Sequence, residues 1–198
     1  MGLNHLTQLV APTKGNKQAF DDALCWIMTT DTMFWDYSIC DGTLLQRFVL
    51  AFFYFSQGLP PNELLQLGNS YTCDWPGITC DFDEIVVINI HLPNKNLQGT
   101  LITEIGLLTS LREINLSNNA MVGSIYPSVY NSLPHLEVFN IGTNEFGGSI
   151  PAGVLMHHQL KEFNISNNKF FGTLSSSVTY SESLGELHCI FLRTYKTV

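Results

Sequence analysis

The chain has 198 residues, with 17 acidic side chains against 9 Lys and Arg and a formal net charge of −8. An apolar share of 45% beside only 13% charged residues excludes a disordered chain, which needs low hydrophobicity and high net charge. The acidic balance removes the basic footprint that nucleic acid or an anionic membrane surface would require. The longest apolar run, Phe48 to Phe55, falls far short of the roughly 18 to 20 residues that cross a bilayer.

Residues 1–16 read as a disordered tail, and Met1 to Val10 carry neither the basic start nor the apolar stretch of a cleavable secretory signal. A helix is predicted over Lys17 to Thr29, where Phe20, Ala23, Leu24, Ile27 and Met28 follow helical spacing. A second is predicted over Thr43 to Gln57. There Leu44, Leu45, Phe48, Leu50, Ala51, Phe52 and Phe55 make most of the circumference apolar, so the helix must be buried. Residues 30–41 and 58–71 read as loops, with Pro60-Pro61 unable to continue the helix before them. Next comes Cys73-Asp74-Trp75-Pro76-Gly77-Ile78-Thr79-Cys80-Asp81. The six residues between its cysteines allow a short disulfide-closed loop, and the alternative is two free buried thiols beside a core tryptophan.

From residue 87 onward the chain repeats itself in the register L-x-x-L-x-L-x-x-N-x-L-x-G-x-I/L. Units begin at Val87, Leu111, Leu136, Leu160 and Leu184, spaced by 24, 25, 24 and 24 residues. The extra residue of the second unit falls near Ser132, on the variable back of the coil. Each unit makes one turn of a coil whose apolar positions are covered only by the turns above and below. Asn119, Asn144 and Asn168 recur at the turn after each strand, where a side-chain amide can satisfy backbone groups. Lys95 breaks this series in the first unit. In the fifth, Cys189 and Leu192 break it, and no closing polar cap follows; the expectation is that the chain is a piece of a longer array.

These repeats, with Gly-Thr-Leu at 99–101 and Gly-Ser-Ile-Pro at 148–151, resemble the plant-type leucine-rich repeat. The Cys73 to Asp81 segment is similar to the signature that closes the N-terminal cap of plant leucine-rich-repeat ectodomains. The resemblance implies an α/β solenoid: a right-handed coil with a parallel concave β-sheet, preceded by a helical N-terminal cap whose helices lie across the end of the coil. It divides the chain into the tail at 1–16, the cap at 17–84 with a structural disulfide joining Cys73 and Cys80, and repeats over 85–198.

Side chains alternate along each strand, so residues between the apolar positions face the concave surface. They form two columns: Asn89, Glu113, Val138, Glu162 and Glu186, and His91, Asn115, Asn140, Asn164 and His188. Five strands make a strip of roughly 20 Å, enough for a short peptide or one edge of a protein. The resemblance implies a recognition module of a receptor-like protein that takes a protein or peptide ligand, or a carbohydrate, on the extracellular side of a membrane. A secreted inhibitor of wall-degrading hydrolases and an intracellular scaffold are the alternatives. Asn115 and Asn164 each open a glycosylation triplet, which any repeat reading L-N-L-S creates.

No phosphate loop, nucleophile elbow or kinase signature is present, so the chain is expected to be no enzyme and to need no cofactor. The six histidines form no spaced cluster with cysteines or carboxylates, so no metal site is expected. His157 and His158 read as solvated residues of the convex back. Cys25 and Cys40 are either a pair or buried small hydrophobes, and Cys189 is left over.

Overall fold

The computed structural model describes residues 16–31, 42–58, 70–172 and 186–188. The expected tail, both expected loops apart from their edges, Cys40, Cys189 and the side chains of the fifth unit lie outside them.

Helix α1 spans Lys17–Thr29 and α2 spans Thr43–Ser56. Phe20 of α1 inserts between Phe48 and Phe52 of α2, edge-on to both at 5.3 and 5.5 Å between ring centroids. The buried stripe of α1 is Phe20, Ala23, Trp26 and Ile27; Met28 is half-exposed, because Trp26 occupies the helical position nearer the core. Cys25 is a free thiol on the exposed face of α1, its Sγ 4.0 Å from Thr29 Oγ1, so it is neither half of a disulfide nor the buried small hydrophobe that was the alternative.

A charged residue sits inside the apolar α2. Arg47 is fully buried and pairs in a two-point contact with Asp31, Nε to Oδ2 at 2.5 Å and Nη2 to Oδ1 at 2.7 Å. Its Nη1 donates to the Ser70 carbonyl at 2.9 Å. The guanidinium lies 4.8 Å from the ring centre of Trp75 and 5.5 Å from that of Trp26. Trp75, the aromatic residue of the cysteine segment, therefore joins both helices to the disulfide loop, which Cys73 and Cys80 close with Cα atoms 5.5 Å apart.

Strand β1 (Ile78–Cys80) and strand β2 (Val87–His91) form an antiparallel pair, so the cap contributes the first strand of the inner sheet. Strands β3 (Glu113–Asn115), β5 (Val138–Asn140), β7 (Glu162–Asn164) and β9 (Glu186–His188) then add in parallel, giving the order β1-β2-β3-β5-β7-β9. Strand β4 (Val122–Gly123) lies elsewhere. Ile90, Ile114, Phe139 and Phe163 are opposite one another in this register, and the first apolar residues past the strands, Leu92, Leu116, Ile141 and Ile165, are likewise buried. Phe139 stacks on Phe163 at 6.1 Å and Phe146 on Phe170 at 6.4 Å. Each turn thus supplies the interior of the next, as a one-dimensional repeat stack requires.

The asparagine ladder reaches further than its own turn. Asn144 Nδ2 donates to the Ile141 carbonyl of its own unit at 3.1 Å and to the Leu116 carbonyl of the preceding unit at 2.8 Å, while its Oδ1 accepts the Met121 N–H at 3.0 Å. Asn119 does the same service for the first unit, accepting the N–H groups of Lys95 and Leu97. Lys95 can stand at an asparagine position because the next unit's amide satisfies the backbone there.

The backs of the first and third units are 3-10 turns, Thr103–Leu107 and Ala152–Met156, whereas the second unit carries the short α-helix α3, Pro127–Asn131. That helix is where the extra residue is absorbed. Unforeseen from the repeat frame is a second parallel sheet, in which β4 pairs with β6 (Glu145–Ser149) and β6 with β8 (Lys169–Phe171). The cap meets the first unit at Gly99, where an added Cβ would stand 1.9 Å from the Ser56 carbonyl oxygen. His157 on the back is half-buried edge-on to Tyr130, not solvated, and that burial pushes its imidazole pKa down.

A second ladder follows the strands: Asn94, Asn118, Thr143 and Asn167 all take left-handed backbone, with φ of 57, 56, 58 and 52°. Asparagine tolerates this region, but a β-branched residue there is a conformational outlier. Thr143 is exposed, so Thr143→Asn should stabilise the protein by about 0.5 to 1 kcal/mol. The check is the thermal unfolding midpoint, which rises for Asn and falls for Thr143→Val.

Candidate functional site

The inner sheet displays the expected columns in register. Asn89, Glu113, Val138, Glu162 and Glu186 are direct neighbours along one, and His91, Asn115, Asn140, Asn164 and His188 along the other. Thr79 of β1 pairs with Asn89 and lengthens the first column by one residue.

Much of this polarity is internally committed. His91 Nδ1 lies 2.6 Å from Glu113 Oε1, and Asn140 Nδ2 donates to Glu162 Oε1 at 2.9 Å. One position earlier in the repeat, Glu137 sits between Lys161 at 2.5 Å and Arg112 at 3.7 Å. Each asparagine of the His91 column also turns its Oδ1 back to its own chain. Asn115 accepts from Ser117 N, Asn140 from Gly142 N and Asn164 from Ser166 N, at 3.2, 3.1 and 3.0 Å. Ser117 Oγ and Ser166 Oγ donate to the same two oxygens as their own backbone N–H groups, at 2.8 and 2.7 Å.

With the oxygens held, what Asn115 and Asn164 offer a ligand is the Nδ2 donor. Those are also the atoms that a glycan would modify in the two triplets. Val138 is the one apolar member of its column, half-buried between Glu113 and Glu162. The arrangement suits a ligand with an apolar group over Val138, acceptors towards the asparagines and a cation near the glutamates. The two columns have the register the repeat predicts, whereas Thr79 and the Arg112–Glu137–Lys161 row were not foreseen. The signal of the row was visible, a basic, an acidic and a basic residue at one repeat offset. Among the described residues no three His, Cys, Asp or Glu side chains come together as a metal site would require.

Cap, stacked turns, parallel inner sheet and asparagine ladder define a leucine-rich-repeat solenoid of the plant type. The family model Leucine Rich Repeat matches residues 159–180. Phytosulfokine receptor 1 of Arabidopsis thaliana is 37% identical over 83 residues, covering 41% of this chain and 8% of that protein. A chain of the BIR3–SERK2 complex of Arabidopsis thaliana superposes with a TM-score of 0.55 at 29% identity, covering 61% of this chain and 64% of that one. The ectodomain of the plant membrane receptor kinase GASSHO1/SCHENGEN3, solved with Casparian strip integrity factor 2, superposes at 0.52 with 27% identity, over 57% of this chain and 14% of that one. The chain thus covers only 8% of phytosulfokine receptor 1 and 14% of the GASSHO1/SCHENGEN3 ectodomain. Among the described residues no helix is long and apolar enough to cross a membrane.

Proposed function

We propose that this chain is the ligand-recognition portion of a receptor-like protein and acts on the extracellular side of a membrane, binding a protein or peptide through the inner sheet rather than performing catalysis. The observation that carries the reading is the two in-register columns around Val138, a preformed and half-buried surface with an apolar centre and a polar rim. Such a centre-and-rim pattern is how protein interfaces concentrate binding energy. The similarity to ectodomains solved in complexes supports a protein or peptide ligand, and nothing in those matches supports a carbohydrate. The closed Cys73–Cys80 bridge speaks for an oxidising compartment and against an intracellular scaffold.

The test is binding of the disulfide-bonded chain to a panel of secreted plant peptides, compared with Val138→Arg and with Lys169→Glu on the second sheet. Val138→Arg should weaken any bound peptide by about 10- to 30-fold, in line with the loss of a central contact. Lys169→Glu should leave binding within about twofold, since surface charges away from a contact change little. The opposite ranking would move the ligand to the outer face and end this reading.

A further inference from the structure

The most exposed large apolar side chain of the described protein is not on the inner sheet. Phe82, in the turn joining β1 to β2, is 101% exposed, with Ile85 beside it in the turn at 50%. A turn of this kind is normally Gly, Asn or Asp, and a phenylalanine standing wholly in water stabilises nothing in the folded chain.

The turn is nevertheless held rigidly. The Asp81 carboxylate accepts the N–H groups of both Ile85 and Val86 at 3.0 Å, and these bonds hold its pKa below the usual carboxylate range. Across the backbone, Asp81 N donates to the Val86 carbonyl at 2.9 Å and Glu84 N to the Asp81 carbonyl at 3.0 Å. Gln46 of α2 ties down the far end, its Oε1 accepting the Val87 N–H at 2.7 Å. The disulfide stands at the base, with Cys80 immediately before the turn and Cys73 Sγ 3.0 Å from the Glu84 carbonyl oxygen. A side chain presented on so fixed a frame loses little conformational freedom when it is covered, which is what an anchor residue requires.

Charge selects what could cover it. Asp74, Asp81, Asp83 and Glu84 lie around this turn in sequence, and no Lys or Arg occurs between Phe48 and Asn94. An anionic lipid surface would be repelled. A second copy of the chain offers little complement. Among the described cations Arg47 is buried, Lys17 and Lys169 each bind an acid of their own chain, and Arg112 and Lys161 flank Glu137, which leaves Lys95 as the single exposed one without an acidic partner.

We propose that the β1–β2 turn is a second docking surface, on which Phe82 anchors a different protein whose contact face has an apolar pocket rimmed by lysine or arginine. The turn joins β1 to β2 at the cap end of the inner sheet, two strands removed from the Val138 strand β5, so the protein can hold a ligand over Val138 and a partner at the cap together. Phe82 supplies the apolar contact, and Asp83 and Glu84 supply the charge that orients the partner and speeds its approach.

The test uses the disulfide-bonded chain against a panel of purified plant receptor-like ectodomains, measured by biolayer interferometry at low and at high salt. The variants are Phe82→Ser, Asp83→Lys/Glu84→Lys and the sheet variant Val138→Arg. The expected result is at least one ectodomain whose binding weakens tenfold or more in both turn variants, weakens with salt, and survives Val138→Arg. Phe82→Ser should keep the unfolding midpoint of the parent, since the side chain touches no core. The proposal is overturned if no ectodomain binds or if those that bind ignore the turn variants. It is equally overturned if sedimentation shows a homodimer that Phe82→Ser dissolves, or if the chain binds phosphatidylserine vesicles through Phe82. A partner lost on Val138→Arg alone would support the sheet reading and count against this one.

Discussion

Arg47→Leu should destabilise the cap by about 3 to 5 kcal/mol, the cost of breaking a buried ion pair by removing one member. Arg47 is fully buried and Asp31 nearly so, at 5% exposure. The substitution takes a cation that lies over two tryptophan rings away from a buried carboxylate, and it also removes the donor to the Ser70 carbonyl. Solvent cannot compensate at such depth. Replacing both partners, Arg47→Leu with Asp31→Leu, should recover much of the loss, because paired charges in an interior often do no better than apolar residues of like volume. Urea unfolding followed by tryptophan fluorescence reads the cap directly, since Trp26 and Trp75 report on it. A single variant costing under about 1 kcal/mol, typical of an exposed pair, would mean that the guanidinium is in fact hydrated.

Asn144→Leu should cost about 3 kcal/mol, at the upper end of the range for orphaned buried polar groups. One amide here serves Leu116, Met121 and Ile141, and so binds the second turn of the coil to the third. The site is 8% exposed, so water cannot replace all three bonds. Asn168→Leu removes an equivalent set at a half-buried position, and about 1 kcal/mol is expected there. In a stack whose stability is a sum of unit and interface terms, loss of the central link should also split the unfolding transition. Hydrogen exchange supplies the readout: the amides of Met121 and Phe146 should open together in the parent and separately in Asn144→Leu. Equal costs at 144 and 168 would show that burial does not control the ladder.

The inner sheet was legible because its register is dictated by a period. Once Leu111, Leu136 and Leu160 are aligned, Asn115, Asn140 and Asn164 must fall side by side, and they do. What the period could not reveal is how neighbours spend their hydrogen bonds. His91 is engaged by Glu113, Asn140 by Glu162, and the asparagine oxygens by their own chain, so this surface has fewer open acceptors than the residue list implies. The Phe82 turn was invisible for a different reason. Sequence shows that the residue is apolar, whereas its exposure follows from Asp81, Gln46 and the disulfide fixing the turn away from the core.

Local periodicity determined the helices from Lys17 and Thr43 and the stacked turns, because each depends on a spacing of apolar residues that has one burial solution, while the concave sheet on which the columns lie was what the resemblance to leucine-rich repeats implied. Tertiary structure decided the rest. Arg47 reads as an interruption of an apolar helix until Asp31, sixteen residues away, and the two tryptophans are brought around it. The second sheet of β4, β6 and β8 is built from strands of two to five residues, two of them containing glycine, too short to show a pattern; it exists because the stacking of the first sheet sets those segments beside one another. Periodic burial is a property of neighbours along the chain, while charge pairing and strand association depend on which distant neighbours the fold supplies.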